Sequence, residues 1–303
     1  MKAAVIHQYG GPEVLEYEDV PDPVPGPGEV LVKVAAASIN PIDIIQRSGG
    51  LQATWPMQFP GILGWDFSGT IVQIADGVTG LRVGEKVAAW AYNAYAELVA
   101  AKADLLARVP DGLDLVDAGA LPLVTITGSQ LVSEAAHVKQ TNTVLVSGAV
   151  GSVGRAAVYT AMNVGAHVIA GVTKRQLEEA KQTGADEVLA LDDAAAFAAQ
   201  PQVDVVANLV RGATAAALMA KVKPGGTFAS ATGAPENAKD YPLVKVAAFH
   251  SHQDALLLAM LMQAVRDKKF SIPIDRRIPL RDAGEGQAAL AKGGLKGKIL
   301  LIP

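Results

Sequence analysis

The stretch Val144-Leu-Val-Ser-Gly148-Ala-Val-Gly151-Ser-Val-Gly154-Arg-Ala-Ala-Val158 decides the fold. An apolar strand runs into a turn with a glycine at every third position, and a helix-forming run follows. Such a turn lets backbone come close to a pyrophosphate and lets the next helix pack directly on the strand. The free N–H groups at the helix start, near Ser152 and Val153, then face phosphates, helped by the helix dipole. Gly148, Gly151, Ser152, Val153 and Gly154 are therefore cofactor-binding candidates. Gly151 is assigned the close approach, with any positive φ the turn requires, and Gly154 the packing. The spacing is G-x-x-G-x-x-G rather than G-x-G-x-x-G, so this motif alone leaves open a glycine turn with no nucleotide.

The next strand bears on which nucleotide. An acidic residue about 20 residues past the glycines would take the ribose 2′-hydroxyl of NAD. The second strand instead ends Ala170-Gly171-Val172-Thr173-Lys174-Arg175-Gln176, and no carboxylate appears before Glu178. A carboxylate would repel a 2′-phosphate, whereas Thr173, Lys174 and Arg175 can bind one. Cations at a helix start also oppose the helix dipole, which argues against a merely solvated helix start. The expected cofactor is NADPH.

Outward from this motif, strands and helices alternate. Residues 144–147, 168–172, 187–190, 203–207, 227–230 and 245–249 read as strands. Residues 152–164, 175–183 and 213–222 read as the helices between them. That alternation implies a parallel sheet covered on both faces. Helices are also expected at 114–120, 126–136, 254–267 and near 282–291. Before residue 120 the pattern is β-rich, with short strands at 3–6, 30–36, 69–74, 86–90 and 95–99 separated by Gly/Pro turns. The last 35 residues return to short strands.

The chain has 303 residues, half of them hydrophobic and 18% charged, with net charge -4. This is enough for two cores, and it leaves no charge block that would hold nucleic acid or a membrane surface. With no cysteine, disulfides, thiolate-bound metals and cysteine nucleophiles are excluded. Residues 1–11 lack the features of a signal peptide, and the longest apolar run, 255–265, is too short to cross a bilayer. A cytoplasmic protein is expected.

Further motifs cover the whole length. They are Tyr9-Gly-Gly-Pro12-Glu-Val-Leu15, Pro25-Gly-Pro-Gly-Glu-Val-Leu-Val-Lys33, Asn40-Pro-Ile-Asp43 with Arg47-Ser-Gly49, and Gly64-Trp-Asp66-Phe-Ser-Gly69. Gly80-Leu-Arg-Val-Gly84-Glu-Lys-Val87, Ala94-Tyr-Ala-Glu97, Ala120-Leu-Pro122, Gly184-Ala-Asp186-Glu-Val188, Lys223-Pro-Gly-Gly226 and Gly297-Lys-Ile299 follow in order. With the glycine turn they resemble the medium-chain dehydrogenase/reductase superfamily, in its zinc-independent quinone-oxidoreductase and zeta-crystallin-like branch. The resemblance implies an α/β fold with a GroES-like β-barrel domain, residues 1–120 and 263–303, and a Rossmann domain with a doubly wound parallel sheet, residues 121–262. It implies a site in the cleft between them. Asn40 would lie near the nicotinamide ribose, Asp43 would brace its turn, and Thr127 would lie near the nicotinamide end. The loops at Asn208, Leu209 and Val210 and at Ala231, Thr232 and Gly233 would wall the nicotinamide. Homodimers through the edge strand near 244–249 are also implied.

Departures from the family pattern are equally specific. Zinc-dependent relatives place Cys and His where this chain has Asn40 and Trp65, so no metal is expected. The family's tyrosines after Asn-x-x-Asp are Ile45 and, nearby, Gly50 and Leu51. Its Asp after the fourth strand is Asn208, and its lysine beside the 2′-phosphate is Gln176. The chemistry implied is hydride transfer from NADPH to a quinone or, alternatively, to the β-carbon of an alkenal or enone. A non-catalytic, crystallin-like NADPH-binding protein is the third alternative. Asn40, Tyr92 and His250 are the candidate catalytic residues, the last two as proton donors. The partner is a small molecule.

Overall fold

The computed structural model describes residues 1–303. The chain divides into two compact units. One comprises Met1–Leu123, Gln253–Lys268 and Ile272–Pro303; the other comprises Val124–His252 with Lys269–Ser271.

The second unit is built on a six-stranded parallel sheet. From edge to edge its strands are Glu187–Ala190, His167–Val172, Thr143–Ser147, Val203–Asn208, Val222–Ser230 and Lys245–Ala248. Side chains alternate between the two faces of a strand. Val144 and Val146 accordingly join one core with Val168, Ala170, Val205 and Ala207. Leu145 joins another, with Ile169, Val206 and Phe228. Burial on both faces is why these strands read as unbroken apolar runs. From Thr143–Ser147 the chain first builds outward to one side, then returns to lay Val203–Asn208 on the other. The crevice at that reversal, outside the carboxyl ends of the strands, is where open α/β sheets hold ligands.

The first unit carries a seven-stranded sheet. Its strands run Ile274–Pro279, Lys298–Ile302, Glu29–Ser38, Asp66–Ile74, Lys86–Trp90 and Leu106–Arg108, with Leu98–Lys102 also paired to Glu29–Ser38. A smaller sheet joins Glu16–Asp19, Lys2–Ile6 and Gly61–Ile62. Bulges interrupt the long pairing of Glu29–Ser38 with Asp66–Ile74, as expected where a sheet curls. Ile6, Val32, Phe67, Ile71, Tyr95 and Leu301 fill the core. Helix Ala255–Arg266 packs on Lys86–Trp90 and Leu106–Arg108. Asp254 caps it, accepting from the Leu257 N–H at 2.8 Å. No helix of the chain is long and apolar enough to cross a membrane.

Several elements differ from the sequence reading. The strand expected at 95–99 forms at Leu98–Lys102, because Tyr95 and Ala96 pair instead with the first strand. The helix expected at 126–136 is α-helical over Pro122–Gln130 and continues as a π turn, Leu131–Ala135. The helix expected at 175–183 is α-helical only over Leu177–Ala180, with 3-10 turns on either side. Strand Val222–Ser230 starts five residues early, through Pro224-Gly225-Gly226. The charged strand Glu16–Asp19 carries no apolar alternation and was not expected.

Candidate active site and nucleotide cradle

In the second unit the glycine turn links strand Thr143–Ser147 to helix Ser152–Val164, which Gly151 caps at its N-terminus. The glycines divide the work differently from expectation. The positive φ, +66°, belongs to Gly148. Gly151 has φ -68° and ψ 161°, extended backbone open to any residue, so the turn asks nothing unusual of its backbone. A Cβ on Gly154 would fall on the Gly148 carbonyl oxygen and lie 2.8 Å from Ala149 Cα. Helix and turn are therefore in backbone contact there. A Cβ on Gly151 would stand 3.2 Å from the Gly148 carbonyl oxygen, and the residue is exposed. Arg155, unremarked in the sequence, braces the turn. It donates from Nε to the Val150 carbonyl at 2.9 Å and pairs with Glu179 at 2.6 Å. The leading N–H groups of a helix have no partner within it, so those of Ser152 and Val153 suit a phosphate.

At the end of strand His167–Val172, Thr173 donates from both N–H and Oγ1 to Gln176 Oε1. The two cations beside it are not equivalent. Lys174 pairs with Asp193 at 3.1 Å, and its N–H goes to Asp192 at 2.7 Å. Arg175 is exposed and has no carboxylate within ion-pair distance. Acids reach this corner after all, from sequence positions that only the parallel pairing of the strand Glu187–Ala190 brings near.

Asn208 and Ser147 end the two strands that flank the crevice. Ser147 Oγ donates to Asn208 Oδ1 at 2.9 Å and accepts the Leu209 N–H at 2.9 Å. Asn208 Nδ2 donates to the Val210 carbonyl at 2.9 Å and lies 3.1 Å from both Ser230 Oγ and Thr232 Oγ1. Asn208 is fully buried; Leu209, Val210, Ala231 and Thr232 are half-buried and Gly233 is exposed. Thr127 Oγ1 bonds Ser251 Oγ at 2.9 Å. His252 bonds Gln130 and Glu134, while His250, next to Ser251, is exposed.

In the first unit, Asn40 is fully buried and bonded at both ends. Its Nδ2 donates to Asp66 at 2.9 Å and to Ser38 Oγ at 3.2 Å, and its Oδ1 accepts from Lys298 Nζ at 2.6 Å. Asp43 accepts from the Asn40 N–H at 2.7 Å and from Tyr95 Oη at 2.9 Å. Burial pushes the Asp43 carboxyl up to about 7 and raises that of Asp66, while burial lowers Lys298. Both polar atoms of the Asn40 amide thus have partners in the interior.

Beside helix Pro41–Arg47, which Asn40 caps, stands a group of aromatic rings. Trp65 donates its indole N–H to Gln46 Oε1 at 2.8 Å. Trp55, Trp65 and Tyr92 meet pairwise edge to face, with centroids 4.8 to 5.1 Å apart. Trp65 is 7% exposed, but Trp55 is 40% and Tyr92 36% exposed. Burial raises the Tyr92 phenol, which keeps it neutral with its O–H in place. The sequence showed Trp65 only as a missing zinc ligand; its partnership with Trp55 and Tyr92 needs the fold. The structure also gathers His7, Glu16 and Glu18 on the exposed hairpin, their ligand atoms within 4.8 Å of one another. That trio depends on hairpin register and so has no sequence spacing to betray it.

Two family models match: the alcohol dehydrogenase GroES-like domain over residues 26–111 and the zinc-binding dehydrogenase over residues 183–301. The chloroplast envelope quinone oxidoreductase homolog of Arabidopsis thaliana is 29% identical over 324 residues, spanning 100% of this chain and 98% of that protein. The solved quinone oxidoreductase of Coxiella burnetii superposes with a TM-score of 0.89 at 29% identity, covering 100% and 99% of the two chains. The chain belongs to the medium-chain dehydrogenase/reductase superfamily, in its zinc-independent quinone-oxidoreductase branch. A further relative of this reductase, a mycobacterial protein solved in complex with NADPH, matches at 29% identity with a TM-score of 0.87 over the full length of both chains. The reductase is an oxidoreductase of the medium-chain type with the α/β fold expected from its motifs. The zinc named in the second family model has no donor set here at the expected positions. The Asn40 amide is spent on Asp66, Ser38 and Lys298, and the Trp65 indole on Gln46.

Proposed function

We propose that this reductase transfers hydride from NADPH to a quinone or a similarly flat, electron-poor acceptor without a metal. The observation that carries the acceptor is the ring group Trp55, Trp65 and Tyr92. Exposed aromatic area held rigidly by edge-to-face contacts offers a flat ring a stacking surface that an aliphatic alkenal cannot use as well. The carrier of the nucleotide is the turn from Gly148 to Gly154 with the N–H groups of Ser152 and Val153. There the glycines leave room that a side chain would fill. Bound there, NADPH supplies the hydride. The protein's residues hold its phosphates, stack the acceptor and, at Tyr92 Oη or His250, offer a proton. Leu209, Val210, Ala231 and Gly233 supply the wall for the nicotinamide end. Two copies would pair along Lys245–Ala248, whose outer backbone edge is unpaired within the chain.

The test is NADPH oxidation, followed by absorbance, against a panel of quinones, alkenals and ketones, with and without chelator. Quinones should turn over fastest and chelator should change nothing. Alkenals turning over faster, or activity lost in chelator, would overturn the reading. Trp55→Ala should raise the KM for quinones several-fold, since a ring contact is worth about 0.5–1.5 kcal/mol beyond buried area, and should leave alkenal KM nearly unchanged. An equal rise for both would deny Trp55 a stacking role.

Cofactor choice should rest on Arg175. A charge-assisted hydrogen bond contributes about 1.5–3 kcal/mol, so Arg175→Ala should cost NADPH affinity about tenfold or more and leave NADH affinity unchanged. Lys174→Ala should cost less, because Asp193 already holds that ammonium. Titration of each variant with both nucleotides decides. Equal affinity of the wild type for NADPH and NADH would refute the assignment.

A further inference from the structure

We propose that Asn208 is a positioning residue for the nucleotide site. It acts as a neutral clasp that fixes two loops at the sheet's crevice. The proposal rests on the reading that the turn from Gly148 to Gly154 holds NADPH.

The two strands that flank the crevice end at Ser147 and Asn208, and their side chains bond directly across it. Ser147 immediately precedes Gly148, so the clasp begins where the turn begins. Through Ser147 Oγ it holds the Leu209 N–H, and through Asn208 Nδ2 it holds the Val210 carbonyl. It reaches Ser230, the last residue of the next strand, and Thr232 in the loop beyond, and Thr232 Oγ1 itself donates to the Val210 carbonyl at 2.9 Å. One buried amide therefore sets the positions of the loops at 209–210 and 231–233. The loops bear on the turn: a Cβ at Gly148 would lie 3.5 Å from Val210 Cγ1 and 3.7 Å from Leu209 Cβ. Where Leu209 and Val210 stand decides how much room is left over the first glycine.

The chemistry requires an amide. Oδ1 faces a hydroxyl donor, and Nδ2 faces the Val210 carbonyl, which can only accept. Ser230 and Thr232 hydroxyls can turn to suit either partner, but a carbonyl cannot. A carboxylate at 208 would set an anion against the Val210 oxygen and push the 209–210 loop away. A protonated acid could donate to that oxygen and restore the clasp. This chain avoids the conflict because its amide is neutral at every pH.

The experiment compares wild type, Asn208→Asp and Asn208→Ala for NADPH affinity by titration at about pH 8 and about pH 5.5, either side of the range into which burial raises a carboxyl. Melting curves taken in parallel confirm that each is folded. The expected result is that the Asp variant binds about tenfold more weakly than wild type at the higher pH and recovers most of this at the lower. The Ala variant should be weak at both. Recovery on protonation, in protein folded throughout, is a signature that general loss of packing does not give. An Asp variant that binds like wild type at the higher pH, or one whose affinity does not recover at the lower, overturns the proposal. Wild type failing to bind NADPH overturns the cofactor reading and the clasp's role with it, and is told apart because no variant is needed to see it.

Discussion

Gly151→Val is expected to abolish NADPH binding while leaving the second unit folded. The backbone at 151 is extended, with φ -68°, so valine adopts it without strain. Its Cβ would stand 3.2 Å from the Gly148 carbonyl oxygen, a contact relieved by a small shift. Losing glycine at the helix N-cap costs about 1 kcal/mol, small beside the stability of a domain. The branched methyls, however, stand at the start of helix Ser152–Val164, in the space a pyrophosphate needs to reach the helix N–H groups. Affinity should fall by more than about a hundredfold, the loss of two or more charge-assisted hydrogen bonds. Far-UV circular dichroism should match wild type. Gly154→Ala makes the contrast. Its added carbon would land on the turn's backbone, so the variant should lose stability as well as binding. If Gly151→Val binds NADPH normally, this turn is not the phosphate cradle.

Lys298→Met should destabilise the first unit by about 3–5 kcal/mol, the usual cost of removing one partner from a buried charge group. Lys298 Nζ donates at 2.7 Å to the Ile39 carbonyl and at 2.6 Å to Asn40 Oδ1, and it is the cation whose field offsets the burial of Asp66 and Asp43. Methionine keeps most of the side chain's bulk but leaves two acceptors without donors and two acids without a cation. For a protein of this size the melting temperature should fall by roughly 10 °C. Adding Asp66→Asn should restore part of the loss, because the uncompensated anion is then gone. A single variant melting within about 2 °C of wild type would mean that the ammonium does not hold this network together.

The sequence by itself determined the nucleotide-binding half closely, because its chemistry is local. A strand, a glycine turn and a helix start lie within 15 consecutive residues, Val144 to Val158. The packing demand on Gly154 follows from that order alone. Parallel strands buried on both faces announce themselves as apolar runs, and all six were legible, with errors only at their ends. The positive φ was assigned to the wrong glycine because spacing does not say where along a turn the chain reverses.

What only the tertiary structure decided are contacts between residues far apart in the chain. Lys298 meets Asn40, 258 positions away, and Asn40 also meets Asp66; all three lay in motifs read beforehand, yet nothing in those motifs says that they touch. The fold buried Asn40 and bonded its amide at both ends. It paired Lys174 with Asp193, leaving Arg175 as the exposed cation of the two with no ion pair, and it assembled Trp55, Trp65 and Tyr92 into one surface. The physical reason is the same each time. Local backbone preferences and hydrophobic periodicity are written along the chain, whereas a side chain's partners are fixed by sheet register and by what lies across it.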